Sequence, residues 1–154
     1  MRNKETFRIL QEEVIVRGRL ELVDKVFAPD FAATRAGGAG LLSAAGLPTY
    51  PQGESSYDNF VAGYRGMMEV MTDQVRTIEE MTGEGDRLCA RWSVSATHSA
   101  PFLGVPATGG RLHFREIGMM RFDSAHRIVE GWFMWDEFAI ARQLGLVSFP
   151  AVAS

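Results

Sequence analysis

The first thirty residues show the hydrophobic spacing of two helices. Apolar side chains recur at helical intervals and predict a helix over residues 3–16. Gly18 breaks the helical pattern after it. Pro29 would end a second, shorter helix, because proline disfavours helical geometry in the residue before it. The apolar face of this second helix contains Leu20, Val23, Val26 and Phe27.

Residues 34–56 are the least regular part of the chain. Glycine and proline recur throughout, yet the leucines are too apolar for a pure linker. We therefore expect a long loop with a short helical turn near residues 41–45. Such a loop could be a lid over a site or a variable surface insertion, and the sequence does not choose between them.

A third helix is predicted after this loop. Ser55 or Ser56 can cap it, and Asp58 suits its first turn, where the helix dipole favours negative charge. Its apolar side chains form one stripe at helical spacing, which contains Phe60, Tyr64, Met67, Met68 and Met71. Such a stripe is most often plain core, and it can equally line an apolar ligand cavity.

After Thr72 the pattern changes to strands joined by turns. Strands are predicted over residues 75–81, 88–98, 111–122 and 128–136, followed by a short helix over residues 137–144. Helices followed by hairpin-connected strands predict an α+β domain, in which an antiparallel sheet wraps around the helices. A chain of 154 residues has the length of one domain, which we expect to span residues 1–154.

Composition and charge narrow the function classes. Sixteen basic and nineteen acidic residues give a net charge of −3, which argues against a nucleic-acid partner bound through phosphates. The single cysteine, Cys89, rules out an intramolecular disulfide and fits a reducing, cytoplasmic location. The charged N-terminus has no apolar signal core, and no run of about 18 apolar residues occurs, so we expect no membrane partner.

The last predicted strand carries large apolar groups on both faces. Trp132, Met134 and Asp136 share one face, whereas Phe133 and Trp135 share the other. We therefore expect a central strand, covered by helices on one face and by a second subunit on the other. This pattern predicts a homodimer, or a higher homo-oligomer, that forms through the sheet.

Asp136 is the first candidate for chemistry. A carboxylate on the face of Trp132 and Met134 would be partly desolvated and thereby suited to proton transfer. Alternatively, Asp136 caps the helix that follows it, because aspartate is a favoured N-cap residue. Glu130 shares this face but lies ~20 Å away along the strand, so we favour a salt bridge for it.

His98 and Glu116 are further candidates. His98 shares the strand face of Trp92 and could orient a substrate carbonyl, or it could begin a loop and bond to a backbone carbonyl. Glu116 lies among apolar residues and is either paired, for example with Arg91 or Arg121, or part of a pocket. The histidines lack the spacing of metal ligands, and no nucleotide-binding glycine loop occurs, so we expect neither metal nor cofactor.

Short motifs follow one another along the chain in a recognisable order. In order and spacing they resemble the SnoaL-like polyketide cyclase family of the nuclear-transport-factor-like and ketosteroid-isomerase-like superfamily. The resemblance covers most of the chain and is densest over residues 83–145. The motifs are VFAPDF at 26–31, GDR at 85–87, RW at 91–92, TH at 97–98, FLGVPATG at 102–109, RF at 121–122, IVEGW at 128–132, Asp136, and QLG at 143–145.

The resemblance implies a cone-shaped, curved antiparallel sheet around the N-terminal helices, which encloses an apolar pocket. It also implies cofactor-independent acid/base catalysis by one aspartate near the end of the last long strand, where Asp136 stands. His98 would lie at the wall or rim of the pocket. The expected substrate-binding residues are Trp132, Trp92, Met134, Phe60, Tyr64, Met68 and Glu116.

The expected function is an enzyme of secondary metabolism, for example of antibiotic biosynthesis. It would close a ring in a small, hydrophobic, polyketide-like substrate through an intramolecular aldol step, with lyase- or isomerase-type chemistry. Two alternatives stay open, because a fold does not determine a function. They are an epoxide-opening hydrolase, cyclase or isomerase on the same fold, and a non-catalytic ligand-binding or assembly domain.

Overall fold

One five-stranded sheet organises the protein. The computed structural model describes residues 2–37, 40–41 and 57–150, with the backbone alone for residues 57–62. In sheet order β1-β5-β4-β3-β2, β1 pairs with β5 in parallel and all other neighbours are antiparallel. The strands are β1 (Phe27–Arg35), β2 (Met71–Glu84), β3 (Arg87–His98), β4 (Arg111–Phe122) and β5 (Ile128–Trp135).

The α+β class is confirmed, and the sheet is curved and unclosed. The sheet is mixed rather than wholly antiparallel, because β1 pairs with β5 in parallel. The sequence analysis did not predict β1. Residues 27–35 form a strand where the second helix was expected to end, so the assignment of Phe27 to that helix is wrong. Pro29 falls in the irregular stretch between Phe27 and Ala32, and an irregular edge strand tolerates proline, which cannot donate to the ladder.

Four α-helices accompany the sheet among the described residues. They are α1 (Arg2–Arg8), α2 (Val23–Val26), α3 (Tyr57–Val70) and α4 (Glu137–Gln143). Helix α1 continues as a π-helix over Ile9–Val16, so the helix predicted over residues 3–16 is confirmed. None of the helices in the described ranges is long and apolar enough to cross a membrane.

The N-terminal helix covers one face of the sheet. The ring of Phe7 packs on Trp92 of β3, with 5.1 Å between the ring centroids. Burial of a large apolar side chain contributes roughly 1.5–3 kcal/mol, so this contact is a main support of the core. We call the face that carries Trp92, Phe114 and Trp135 the inner face, and the opposite face, with Met119 and Trp132, the outer face.

The predicted loop over residues 34–56 is only partly described. Thr34 and Arg35 belong to β1, and residues 40–41 are helical, where the sequence predicts a short turn. The rest of that turn, the lid and insertion alternatives, and the cap at Ser55 or Ser56 lie outside the described residues.

Candidate active site

A row of three side chains crosses the middle of the inner face. Trp92 pairs with Glu116 in the β3–β4 ladder, and Glu116 pairs with Trp135 in the β4–β5 ladder. Directly opposite residues have Cβ atoms about 4.5–5.5 Å apart, so the carboxylate of Glu116 lies between two indoles. Because Glu116 is only 7% exposed, this acid is part of a largely apolar wall.

Arg76 of β2 neutralises the buried carboxylate. Its Nη1 lies 3.5 Å from Oε2 of Glu116, and both side chains are almost completely buried. Arg76 also donates from Nη1 to Oε1 of Gln11 at 3.0 Å and from Nε to Oε1 of Gln74 at 2.9 Å. The guanidinium is thus held by three groups, whereas this ion pair is the only polar contact of Glu116 with a described side chain.

The predicted pairing of Glu116 is confirmed, but its partner is neither Arg91 nor Arg121. Both of those arginines project from the outer face, because they alternate with the inner residues of their strands. Arg91 pairs there with Glu79 and Glu80. Arg121 Nε lies 2.9 Å from Oε2 of Glu130, which confirms the salt bridge favoured for Glu130.

Tyr64 of α3 adds a neutral acid to the cluster. Burial raises the pKa of its phenol above the ordinary value, and the charge of Glu116 acts in the same direction. The positive charges of Arg35 and Arg76 oppose that shift, so all three ionic groups lie close enough to influence the phenol. Tyr64 is therefore protonated at neutral pH and can donate a hydrogen bond or a proton.

Arg35, the last residue of β1, lies over two aromatic rings. Its guanidinium carbon is 5.8 Å from the ring centroid of Phe133 and 5.5 Å from that of Trp135. Gly37 then passes so close to β5 that a Cβ would lie 2.8 Å from the carbonyl oxygen of Trp135. Arg35 and Tyr64 keep part of their surface exposed, so the cluster is open to solvent at this end.

His98 lies completely buried on the inner face at the end of β3. The backbone N–H of Thr108 donates to its Nδ1 at 3.4 Å, and the Thr108 hydroxyl lies 3.2 Å from the same atom. The expected bond to a backbone carbonyl is thus replaced by contacts with Thr108. Because Nδ1 accepts a hydrogen bond, the ring proton is on Nε2.

Three buried N–H donors of the inner face have no hydrogen-bond partner among the described residues. They are Nε2 of His98 and the Nε1 atoms of Trp92 and Trp135. A buried donor without a partner costs free energy, roughly 1–3 kcal/mol. The inner wall therefore favours a ligand that brings oxygen acceptors.

Asp136 lies outside this cluster. It is exposed at the end of β5, and its Oδ1 accepts a hydrogen bond from the backbone N–H of Ala139 at 3.0 Å. The capping alternative is therefore confirmed, since Asp136 is the N-cap of α4. The predicted apolar environment of Asp136 is wrong, and its role in catalysis stays a prediction.

Trp132 and Met134 lie on the outer face with Asp136. Trp132 pairs with Met119 and Met134 with Ile117 across the β4–β5 ladder, and Met134 is 41% exposed. The expectation that these two side chains line one pocket with Trp92 and the helix residues is wrong, because the sheet separates them. The predicted homodimer through this face stays a prediction.

Asp136 borders an open groove of about 450 Å³ on the outer face. It is open and lined by both polar and apolar side chains, so it differs from the enclosed apolar pocket that the resemblance implies. The lining consists of Val75, Thr77, Glu79, Ser93, Val94, Ser95, His113, Phe114, Arg115, Asp136 and Ala139.

The remaining predicted site residues lie on α3. Met68 is half-buried, and the side chain of Phe60 lies outside the described residues. In the described part of the chain, no three histidine, cysteine, aspartate or glutamate side chains come together as a metal site requires.

The sequence profile of the SnoaL-like polyketide cyclases matches residues 6–144. The chain belongs to the SnoaL-like polyketide cyclase family. Among curated proteins, none shows significant sequence similarity to this SnoaL-like chain.

Solved structures agree with this SnoaL-like assignment. IdmH of Streptomyces antibioticus, a candidate polyketide cyclase, shares 27% identity at a TM-score of 0.78, over 94% of this chain and 99% of IdmH. AclR of Streptomyces galilaeus, a candidate hydroxylase, shares 22% identity at a TM-score of 0.78, over 95% and 97% of the two chains. A candidate polyketide cyclase of Acidithiobacillus ferrooxidans shares 23% identity at 0.76, over 96% and 97%. The last two show the fold alone.

Membership of the SnoaL-like family supports a cyclase-type role, and the family binds small hydrophobic substrates. The predicted single domain over residues 1–154, the cytoplasmic location and the secondary-metabolic role stay predictions.

Sequence reasoning missed two members of the SnoaL-like inner cluster. Arg76 shares the strand face of Ile78, which is the signal that could have placed it inward. Arg35 had no comparable signal from strand alternation, and the sequence analysis assigned it to the long loop that starts at residue 34.

Proposed function

We propose that this SnoaL-like protein closes a ring in a polyketide-like substrate by cofactor-independent acid/base catalysis on the inner face. The observation that carries the proposal is the burial of one carboxylate, Glu116, near a neutral phenol, Tyr64, in a wall of aromatic rings. An aldol closure needs one base, one acid and a site that positions the chain and excludes water.

The base in this scheme is Glu116. Its Oε2 lies 3.5 Å from Nη1 of Arg76 inside the protein, and no described residue donates a closer hydrogen bond to it. Glu116 removes a proton from the activated C–H between two substrate carbonyls. The resulting enolate is stabilised by the unpaired N–H donors of the wall.

The acid in this scheme is Tyr64. The enolate carbon forms a C–C bond with a second substrate carbonyl, whose π electrons move to oxygen to give an alkoxide. The phenol of Tyr64 gives its proton to the alkoxide, and the proton held by Glu116 returns to the phenolate directly or through solvent. The product is an isomer of the substrate, and loss of water from it completes an aromatic ring.

Two matched variants test this scheme. Glu116→Gln and Asp136→Asn each remove one carboxylate charge, and turnover of a methyl β-polyketo ester with an aromatic end can be followed by mass spectrometry. Glu116→Gln should lower kcat/KM by about 10²–10⁴, the usual contribution of a positioned acid/base group. Asp136→Asn should stay within about threefold of the parent, because asparagine still caps α4.

The opposite result would identify Asp136 as the base, as the family resemblance implies, and would move the reaction to the outer groove. Thermal unfolding of both variants serves as the folding control. The same assay with an epoxide separates the alternatives, since hydrolysis adds 18 daltons whereas ring closure gives an isomer or a loss of water. A protein that turns over neither substrate would favour the non-catalytic alternative.

A further inference from the structure

We propose that the inner face binds its substrate as a carboxylate anion and that Arg35 is the residue that pairs with this carboxylate. The proposal rests on the proposed function only in that it uses the same cluster of residues. Its test measures binding and does not depend on turnover.

The charges of the inner cluster do not balance. In the part of the chain that the structure describes, Arg35 and Arg76 stand against one carboxylate, Glu116, and all three act on Tyr64. Tyr64 is neutral and adds no charge to the cluster. The cluster therefore carries one excess positive charge, which a ligand anion would compensate.

The two arginines differ in what holds them. Arg76 is bound by Gln11, Gln74 and Glu116. Arg35 has no ion pair with any described residue, and its guanidinium lies over the rings of Phe133 and Trp135.

The cation–π contacts of Arg35 with the two rings use none of its N–H groups in a hydrogen bond to an acceptor. The N–H edge of a guanidinium matches a carboxylate with two parallel hydrogen bonds. Because Arg35 is partly buried, the interaction is less screened than at the surface. Arg35 can thus pair with an anion that the described part of the protein does not itself supply.

The rest of the wall specifies the other end of the ligand. The N–H groups of Trp92, His98 and Trp135 are buried donors without described partners, and Glu116, the carboxylate between the two indoles, is already paired with Arg76. Carbonyl oxygens of a ligand can accept these hydrogen bonds. The preferred ligand class is therefore an aromatic or polyketone acid with one carboxylate and further carbonyl groups, which should bind more tightly than its ester.

Anthraquinone-2-carboxylate and its methyl ester are a matched pair of probes with this chemistry. Calorimetric titration should show that the acid binds the parent protein at least about tenfold more tightly than the ester, as expected for a charged hydrogen bond. Arg35→Gln should reduce the affinity for the acid to that for the ester and leave the affinity for the ester unchanged. Arg35→Lys, which keeps the charge, should retain part of the preference.

Arg115→Gln is the control, since Arg115 is an exposed arginine that lines the outer groove. It should keep the full preference for the acid. The proposal would be overturned if the parent bound both probes equally or bound neither. It would also be overturned if the preference for the acid survived Arg35→Gln or was lost in Arg115→Gln. The parent comparison stands even if an Arg35 variant fails to fold.

Glu116→Gln separates this proposal from the proposed function. The variant removes a negative charge near Arg35, so it should bind the acid as tightly as the parent or more tightly. Normal turnover in Glu116→Gln, together with loss of the acid preference in Arg35→Gln, would refute the catalytic scheme alone. Loss of turnover in Glu116→Gln, together with equal binding of acid and ester by the parent protein, would refute the carboxylate proposal alone.

Discussion

The inner and outer faces of the sheet carry the same residue types in different surroundings. The Arg76–Glu116 pair on the inner face is 5% and 6% exposed, whereas the Arg121–Glu130 pair on the outer face is 40% and 59% exposed. Exposed ion pairs contribute roughly 0–1 kcal/mol because water and salt screen them. Burial removes that screening, so only the inner pair can couple strongly to the charge of a ligand or of a reacting group.

The comparison extends to the two candidate carboxylates. Asp136 already accepts the Ala139 N–H and faces solvent, whereas Glu116 has only its ion pair with Arg76 as a polar contact among the described residues. A carboxylate that caps a helix has a structural duty that asparagine can fulfil. The difference gives the outer acid a structural role and supports the proposal that the inner acid is the base.

The largest expected effect concerns the two ion pairs. Arg76→Met should lower the free energy of unfolding by about 3–5 kcal/mol, because it leaves the buried charge of Glu116 without its partner. Arg121→Met, which breaks the Arg121–Glu130 pair on the outer face, should cost under about 1 kcal/mol. Urea unfolding of both variants measures the difference, and similar losses would remove the distinction between the faces.

A smaller effect is expected at the cap of α4. Asp136→Ala should destabilise the protein by about 0.5–2 kcal/mol, because the Ala139 N–H loses its acceptor. Asp136→Asn should be close to the parent in the same thermal or urea unfolding measurement. Equal losses in the two variants would mean that the negative charge, and not the cap, is what the fold needs at this position.

The smallest effect appears only at alkaline pH. Burial raises the pKa of Tyr64, so above pH ~10 the unfolded chain has released this proton while the folded protein still holds it. The unfolded state then binds fewer protons, and stability falls as pH rises, by up to about 1.4 kcal/mol per pH unit.

Tyr64→Phe removes this contribution. Urea midpoints of the variant and the parent should run parallel between pH 7 and 9, and the parent should fall more steeply above pH ~10. Parallel curves over the whole range would show that the phenol titrates alike in both states.

The sequence predicted most of the elements and failed at two irregular places. Strands β3 and β4 alternate regularly between buried and exposed residues, and their predicted bounds agree with the structure to within a residue. Strand β1 has two adjacent buried residues, two exposed ones and a proline before its regular pairing begins at Ala32. No alternation is visible over such a stretch, so the strand and its last residue, Arg35, were missed.

Strand β5 shows why the predicted site moved to the other face. Its two faces are equally apolar, so the sequence could not tell which one meets the helices. The pairing with β4 also shifts between Ile128 and Glu130, and a shift of one residue exchanges the faces of a strand. Phe133 and Trp135 therefore point inward, while Trp132, Met134 and Asp136 point outward. The other candidates lie on elements whose buried face the hydrophobic pattern did define. These candidates are His98, Trp92, Tyr64 and Glu116.

The three tryptophans allow one direct test of where a ligand binds, since Trp92 and Trp135 lie on the inner face and Trp132 on the outer face. Their indole N–H groups give separate NMR resonances, and a Trp132→Phe variant identifies the outer one. Saturation with anthraquinone-2-carboxylate should shift the two inner resonances, as their unpaired N–H groups gain acceptors, and leave that of Trp132 in place. A shift confined to Trp132 would contradict the account and locate the ligand site on the outer face.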